Sequence, residues 1–418
     1  MDSRGRMKIG FISEHYPPTE GGVATSTQRV ARELVKLGLN VHVICFDNSR
    51  PVESEDYVIE DNDDGVNLHK IGPFFLKQPS LSVDSIPEKV KAAFRRRAFV
   101  QIIRILKREK VDLILSFYLL NAGYIAQFAA NELELPYVAG VRGNDIGRNI
   151  FNVERFAVIQ WVVKNCDRIV CVNSHLRKRL LLAFPEAKEN TRVIPNSVAD
   201  NLGEEIITEN HENRQKVTHA TGWDDEALRI VFIGTLREKK GVVTLLKSLS
   251  LLRIRIPARL LIVGPEIGTI ETKLCGNLWS QLKDEGILFV TGKVPRSEVA
   301  AWASGCDIVV MPSLDDGMAN GLLEGMALGL CPVASEVFTD VIANGENGMI
   351  VPIGDAESLA EAFYALAINR ENIDALGKKA KAYAREWTPK DEANAYMELF
   401  KELLSTHQKE KEIDDSVK

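Results

Sequence analysis

The stretch Lys8-Ile-Gly-Phe-Ile-Ser-Glu-His-Tyr-Pro-Pro-Thr-Glu-Gly-Gly-Val-Ala-Thr-Ser-Thr-Gln-Arg-Val-Ala-Arg-Glu-Leu-Val-Lys-Leu-Gly-Leu-Asn-Val-His-Val-Ile-Cys-Phe46 reads as a strand, a loop, a helix and a second strand. Lys8–Ser13 and Asn40–Phe46 are short apolar runs rich in β-branched residues, suited to strands covered on both faces. Between them, residues 25–37 repeat apolar side chains at three and four, the spacing of a helix that buries one face. A strand, a helical crossover and a further strand together form the unit of a doubly wound α/β domain.

The alternation continues outward. Further strands are expected at 112–117, 137–141, 168–172 and 192–195, with helices at 88–108, 122–133, 153–163 and 175–182. The composition then turns polar and loses its periodicity, which marks a linker over 201–226. A second series of strands follows at 228–234, 259–264, 287–291, 307–311, 332–335 and 349–352. Two similar domains are therefore expected, at 1–200 and 227–387, with an amphipathic helix over 388–406 and a charged, disordered tail over 407–418.

The bulk properties fit this division. With 418 residues, 45% of them hydrophobic and 26% charged, the chain is too long for one core and has the composition of a soluble globular protein. Its apolar runs fall well short of the roughly 20 residues that span a bilayer, and its first residues lack a signal-peptide core, so a cytoplasmic location is expected. The cysteines at 45, 166, 171, 275, 306 and 331 are scattered without a CxxC pair, as in a reducing compartment. A net charge of −6 gives no reason to expect nucleic acid.

Three segments carry chemistry. In Pro17-Pro-Thr-Glu-Gly-Gly-Val23, Gly21 and Gly22 let the backbone come close to a ligand, and the helix opening near Ala24 offers free N–H groups to a phosphate. A tight strand-to-helix turn accounts for the diglycine equally well. In Phe232-Ile-Gly-Thr-Leu-Arg-Glu-Lys-Lys-Gly241, Arg237 and Lys240 follow a strand end, where cations neutralise the charge of a leaving diphosphate. Read alone, this cluster is also a solvated basic turn. The third segment, Met311-Pro-Ser-Leu-Asp-Asp-Gly-Met-Ala-Asn-Gly-Leu-Leu-Glu-Gly-Met-Ala-Leu-Gly329, sets Asp316 in a loop and Glu324 eight positions on, in the second turn of a helix starting near Ala319. The backbone around Gly317, and the N–H groups of Met318, Ala319, Asn320, Gly321 and Leu322, suit an anionic donor, and Glu324 can accept two ribose hydroxyls. Two acids around a glycine loop also serve as capping residues.

Together these segments resemble the retaining glycosyltransferase family 4, which has the GT-B fold of two Rossmann-like doubly wound domains facing across a cleft. The resemblance runs through Glu20-Gly-Gly-Val, Val193-Ile-Pro-Asn196, Gly234 to Gly241, Leu261-Ile-Val-Gly264, Val290-Thr-Gly-Lys-Val-Pro295, the 312–329 segment with its acid-seven-acid spacing, and Asn344-Gly-Glu-Asn-Gly-Met-Ile-Val-Pro352. It implies that Glu324 binds the donor ribose, that Lys240 binds the diphosphate together with Gly234 and Arg237, and that Gly21 and Gly22 approach the donor phosphates. It further implies that Gly264 and Val294 frame the base, and that the last helix braces the first, acceptor-binding domain. Asp316 stands where a glutamate is usual, Thr235 where an arginine is usual, and Arg142 of Val141-Arg-Gly-Asn-Asp145 where a histidine is usual. Arg142 is then an electrostatic or positioning group, since arginine is no base near neutral pH, and Asp145 completes that segment's candidates. Ser335-Glu-Val-Phe-Thr-Asp340 lacks the usual diglycine.

The expected reaction moves a sugar from a nucleotide-diphosphate sugar to a glycan or lipid-linked acceptor, with retention. Catalysis comes from orientation and from stabilisation of the leaving diphosphate. The chain is read as lacking the aspartate-x-aspartate metal signature of the other main transferase fold, so no metal and no cofactor is expected beyond the nucleotide sugar as co-substrate. A nucleotide-sugar epimerase, a phosphorylase and a non-catalytic nucleotide-sugar-binding partner of another transferase are the alternatives. Residues 87–110 form a basic helix with phenylalanines, suited either to peripheral contact with an anionic membrane at its inner face or to an ordinary solvated outer face.

Overall fold

Strands covered by helices on both faces are largely apolar, as Leu113–Phe117 and Ile308–Met311 are, whereas Val58–Asp63 and Thr191–Val193, at the two edges of one sheet, and Val66–Ile71 carry polar and charged residues. The computed structural model describes residues 6–19, 21–47, 57–72, 88–198, 210–224 and 226–417. They form two units, one built from residues 1–196 with 389–418 and the other from 197–388.

The first unit runs β1 (Lys8–Ser13), α1 (Gly22–Lys36), β2 (Asn40–Phe46), β3 (Val58–Asp63), β4 (Val66–Ile71), α2 (Glu88–Glu109), β5 (Leu113–Phe117), α3 (Asn121–Leu133), β6 (Tyr137–Val141), α4 (Asn144–Gly147), α5 (Val153–Asn165), β7 (Arg168–Cys171), α6 (Ser174–Ala183) and β8 (Thr191–Val193). Its sheet has the order β3-β4-β2-β1-β5-β6-β7-β8, parallel except for β3 against β4. The β3–β4 hairpin was not expected from the sequence. It turns on Asp64-Gly65, both at positive φ (51° and 87°), as a two-residue hairpin requires. Asp63 at its end accepts bonds from Tyr16, Gln28 (2.9 Å) and Arg32, which tie the hairpin to α1.

The second unit runs α7 (Asn210–Thr221), β9 (Leu228–Ile233), α8 (Val242–Leu252), β10 (Ala258–Val263), α9 (Thr269–Cys275), α10 (Leu278–Asp284), β11 (Leu288–Val290), α11 (Arg296–Ala303), β12 (Ile308–Met311), α12 (Asn320–Leu328), β13 (Cys331–Ser335), β14 (Met349–Val351), α13 (Ala356–Ile368) and α14 (Arg370–Glu386). Its sheet is wholly parallel, in the order β11-β10-β9-β12-β13-β14. Helix α15 (Pro389–Val417) then belongs to the first unit, where Arg29 donates to the buried Glu392 at 2.9 Å.

Two expectations need correction. The segment 201–226 is not an unstructured linker where it is described. Helix α7 buries Val217 and Asn213 against Gly305, and Trp223 fills the second core, its indole N–H donating to the Gly286 carbonyl. The tail expected to be disordered continues α15 to Val417, because its lysines and glutamates are good helix formers. Among the described residues no helix is long and apolar enough to cross a membrane.

Candidate functional site

Ligands of open parallel sheets lie beyond the C-terminal strand ends, where the strand order reverses. In the second unit that point falls between β9 and β12. The order β11-β10-β9-β12 sets side by side Val294, following β11, Gly264 after β10, the 234–241 segment after β9 and the 312–319 loop after β12. Segments far apart in sequence thus share one edge.

Glycines make the edge tight. Gly234 leaves β9 with φ 121°, and a Cβ on Gly264 would fall 2.1 Å from its carbonyl oxygen. A 3-10 turn, Glu238–Lys240, ends on Gly241 at φ 78°, where a Cβ would meet the Pro312 carbonyl at 2.0 Å. The Leu314 N–H also donates to the Lys239 carbonyl at 2.8 Å, so the lysine turn is stitched to the loop after β12. There Lys240 Nζ pairs with Asp316, Lys239 Nζ stands 4.0 Å from the same carboxylate, and Asp316 Oδ1 accepts the Gly317 N–H at 2.9 Å. Burial lowers the Lys239 ammonium pKa, and Asp316 opposes the shift. Arg237 and Thr235 are exposed beside them.

Helix α12 rests on the strand ends. A Cβ on Gly321 would fall 2.4 Å from the Ile233 carbonyl oxygen, and one on Gly325 within 2.6 Å of the Val309 side chain. Glu324, between these glycines, is only 4% exposed. Helices α1, α8 and α12 begin at Gly21, Gly241 and Ala319 with no side-chain cap and no acid in the first turn. Helices α3 and α10 share both features, while α5, α6 and α13 are capped by Asn152, Asn173 and Asp355. Such ends present a positive dipole end to an anion. Of the expected run from Met318 to Leu322, the Leu322 N–H is already spent on the Ala319 carbonyl at 3.0 Å. The diglycine-free segment after β13 takes a 3-10 turn with Val337 and Phe338 buried.

The first unit reverses between β1 and β5. Gly21 has φ 131° with open space where a Cβ would lie, whereas Glu20 lies outside the described residues. Arg142, beyond β6, stacks on the Phe117 ring at 3.9 Å and donates to Asn196 Oδ1 at 2.7 Å, while its Nη1 is buried without a hydrogen-bond partner. Those contacts hold the guanidinium between β5 and Asn196. Asp145, expected with the catalytic set, is fully buried and its oxygens accept the Leu119 and Arg142 N–H groups at 2.9 and 3.1 Å. It therefore clamps two loops together. Burial pushes its carboxyl up to about 6 against those bonds.

Sequence reasoning missed Glu14, the residue directly after β1. Burial raises its carboxyl to about 7, opposed by a bond from Asn121 and assisted by the nearby Asp145, while the Ala122 N–H also bonds to it. No local signal marks it, since its environment is assembled from β1, α3 and the loop after β6. The reading that the chain lacks an aspartate-x-aspartate spacing needs correction, since Asp61-Asn-Asp63 on β3 has it. Asp63 is engaged by Arg32, Tyr16 and Gln28, and Asp61 by Lys70 at 2.9 Å.

Comparison with known proteins gives two family matches, Glycosyltransferase Family 4 over residues 20–202 and Glycosyl transferases group 1 over residues 227–369. The putative teichuronic acid biosynthesis glycosyltransferase TuaC of Bacillus subtilis is 25% identical, over 85% of this chain and 88% of its own length. The D-inositol 3-phosphate glycosyltransferase of Corynebacterium urealyticum is 25% identical, over 95% of this chain and 96% of its own. Among solved structures, Anabaena HepE in complex with UDP and glucose superposes with a TM-score of 0.73 at 16% identity, covering 95% of this chain and 100% of that one.

Proposed function

Since the chain belongs to the group 1 and family 4 glycosyltransferases, enzymes of the GT-B fold, we propose that it moves a sugar, with retention of configuration, from a nucleotide-diphosphate sugar to a glycan or lipid-linked acceptor. Assembly of a surface polysaccharide or glycolipid is the process in which such a product would be used. The observation that carries this reading is the shared edge of β9 and β12, where Lys240 and Glu324 accompany two uncapped helix ends.

In this scheme Glu324 accepts the ribose hydroxyls, and Gly264 with Val294 frames the base. Lys240 exchanges its Asp316 partner for the donor diphosphate, with Arg237 exposed nearby as a second cation. The charge developing on the leaving diphosphate is met by these groups and by helix N–H donors rather than by a divalent ion. The leaving phosphate takes the acceptor proton, so no protein nucleophile is needed. The acceptor binds the first unit, at the edge carrying Glu14 and the open end of α1.

The test is calorimetric titration of wild type and Glu324→Ala with UDP, GDP and ADP, starting from UDP because HepE holds it. Binding that weakens more than about tenfold in the variant, a loss of about 1.4 kcal/mol, fits a ribose-binding carboxylate. Slow release of free sugar from the matching nucleotide sugar fits transfer. No binding of any nucleotide overturns the reading.

A further inference from the structure

Away from both switch points, in the first unit, β2 and β4 bring together two histidines that the transfer reaction does not use. His42 and His69 are each 3% exposed, and their rings lie nearly parallel, 18° apart, with His42 Nδ1 at 3.2 Å from His69 Nε2. The outer ring nitrogens face carboxylates: His42 Nε2 is 3.8 Å from Glu109 Oε2, at the end of α2, and His69 Nδ1 is 3.6 Å from Glu60 Oε1, on β3. Neither gap is a hydrogen bond, and both outer nitrogens are buried without a hydrogen-bond partner.

Counting protons exposes the difficulty. Two neutral imidazoles carry two protons, and one of them sits in the bond between the rings. Whichever ring donates that bond, the outer nitrogen of the donor is left bare and directed at a carboxylate. A cation held between the two facing nitrogens, His42 Nδ1 and His69 Nε2, leaves both protons on the outer nitrogens, where each N–H is directed at a carboxylate.

We propose that His42, His69 and Glu109 form a site for a divalent transition-metal ion of the zinc class. One ligand atom from each lies within 4.8 Å of the other two. Neutral imidazole and carboxylate suit zinc, whose ligands stand at about 2.0–2.2 Å and therefore about 3.3 Å from one another. The two facing ring nitrogens already have nearly that spacing, and the long Glu109 side chain closes the remainder by rotation. Arg108 Nε holds Glu109 Oε1 at 2.7 Å and leaves Oε2 toward the rings, while Lys8 Nζ is engaged by the Glu109 carbonyl at 2.9 Å. Glu60 is placed to accept the N–H left on His69, the arrangement that orients a metal-bound imidazole. The ion would join β2 and β4 to the end of α2, a structural role separate from sugar transfer.

The test uses the full-length, tag-free chain, stripped with chelator and dialysed against one equivalent of zinc chloride. One zinc retained per chain, with a raised midpoint of thermal unfolding, is the expected result. Glu109→Gln, a partly exposed and isosteric change, should weaken binding by more than about tenfold, the loss that removal of even an outer partner brings. His69→Asn should abolish it, and Cys275→Ser, at the only cysteine that is not buried, should leave it intact. Failure to retain zinc, or equal retention by wild type and Glu109→Gln, overturns the proposal. The Glu109 variant decides the matter even where the histidine variant does not fold.

Discussion

Replacing Glu14 with glutamine removes a carboxyl whose folded-state value, about 7, lies well above the 4.5 of an unperturbed glutamate. Between those values the folded chain holds a proton that the unfolded chain has released. Stability contributed by this group is therefore complete on the acid side and is lost as pH rises through 7. A separation of two to three pH units corresponds to about 3 kcal/mol. Asp145, raised to about 6, acts in the same direction and remains in the variant. Glutamine keeps an oxygen for the Ala122 N–H and cannot ionise. The two proteins should then have similar stability at pH 5, and the variant should be more stable by up to about 3 kcal/mol at pH 8. Urea unfolding from pH 5 to 8.5, followed by circular dichroism, with hydrogen exchange of the β1 and α3 peptides to locate the effect, measures the gap. A gap that does not change with pH would refute the claim that burial holds the Glu14 proton.

Lys240→Ala should lower kcat by about 100- to 1000-fold, the scale of losing one preorganised charge-stabilising donor, with turnover indifferent to added magnesium or manganese; steady-state assays check both. Gly241→Ala should destabilise the second unit by about 1–3 kcal/mol or more, since it combines a positive φ with a Cβ 2.0 Å from a backbone oxygen, and its thermal midpoint should fall. Contact with an anionic membrane through residues 87–110 should make the protein sediment with acidic liposomes at low salt, and not with neutral ones; exposed Arg96, Arg104 and Lys107 supply the charge.

What the sequence conveyed depended on how local the cause was. Lys8–Ser13, Asn40–Phe46 and Tyr137–Val141 were legible at their observed bounds because a strand buried on both faces writes its environment into every residue. The edge strand Val58–Asp63 was not, because its outer residues are acidic and its stability comes from Arg32, Gln28 and Tyr16 on other elements. Only the Asp64-Gly65 turn signalled it. Helix α7 escaped for a related reason. It buries few apolar side chains and is held by polar bonds, such as Arg214 to Asp307 at 2.8 Å, with Gly305 allowing close approach. The segments now gathered at the β9–β12 edge stood out because their glycines, lysines and acids cluster in short stretches, although what brings them together is strand order. Glu14 and the His42–His69 pair had no such clustering. A carboxyl after one strand, or a histidine within another, acquires its chemistry only when a second strand places a partner beside it. Sites assembled from single residues on separate strands are accordingly the ones for which the topology has to be known first.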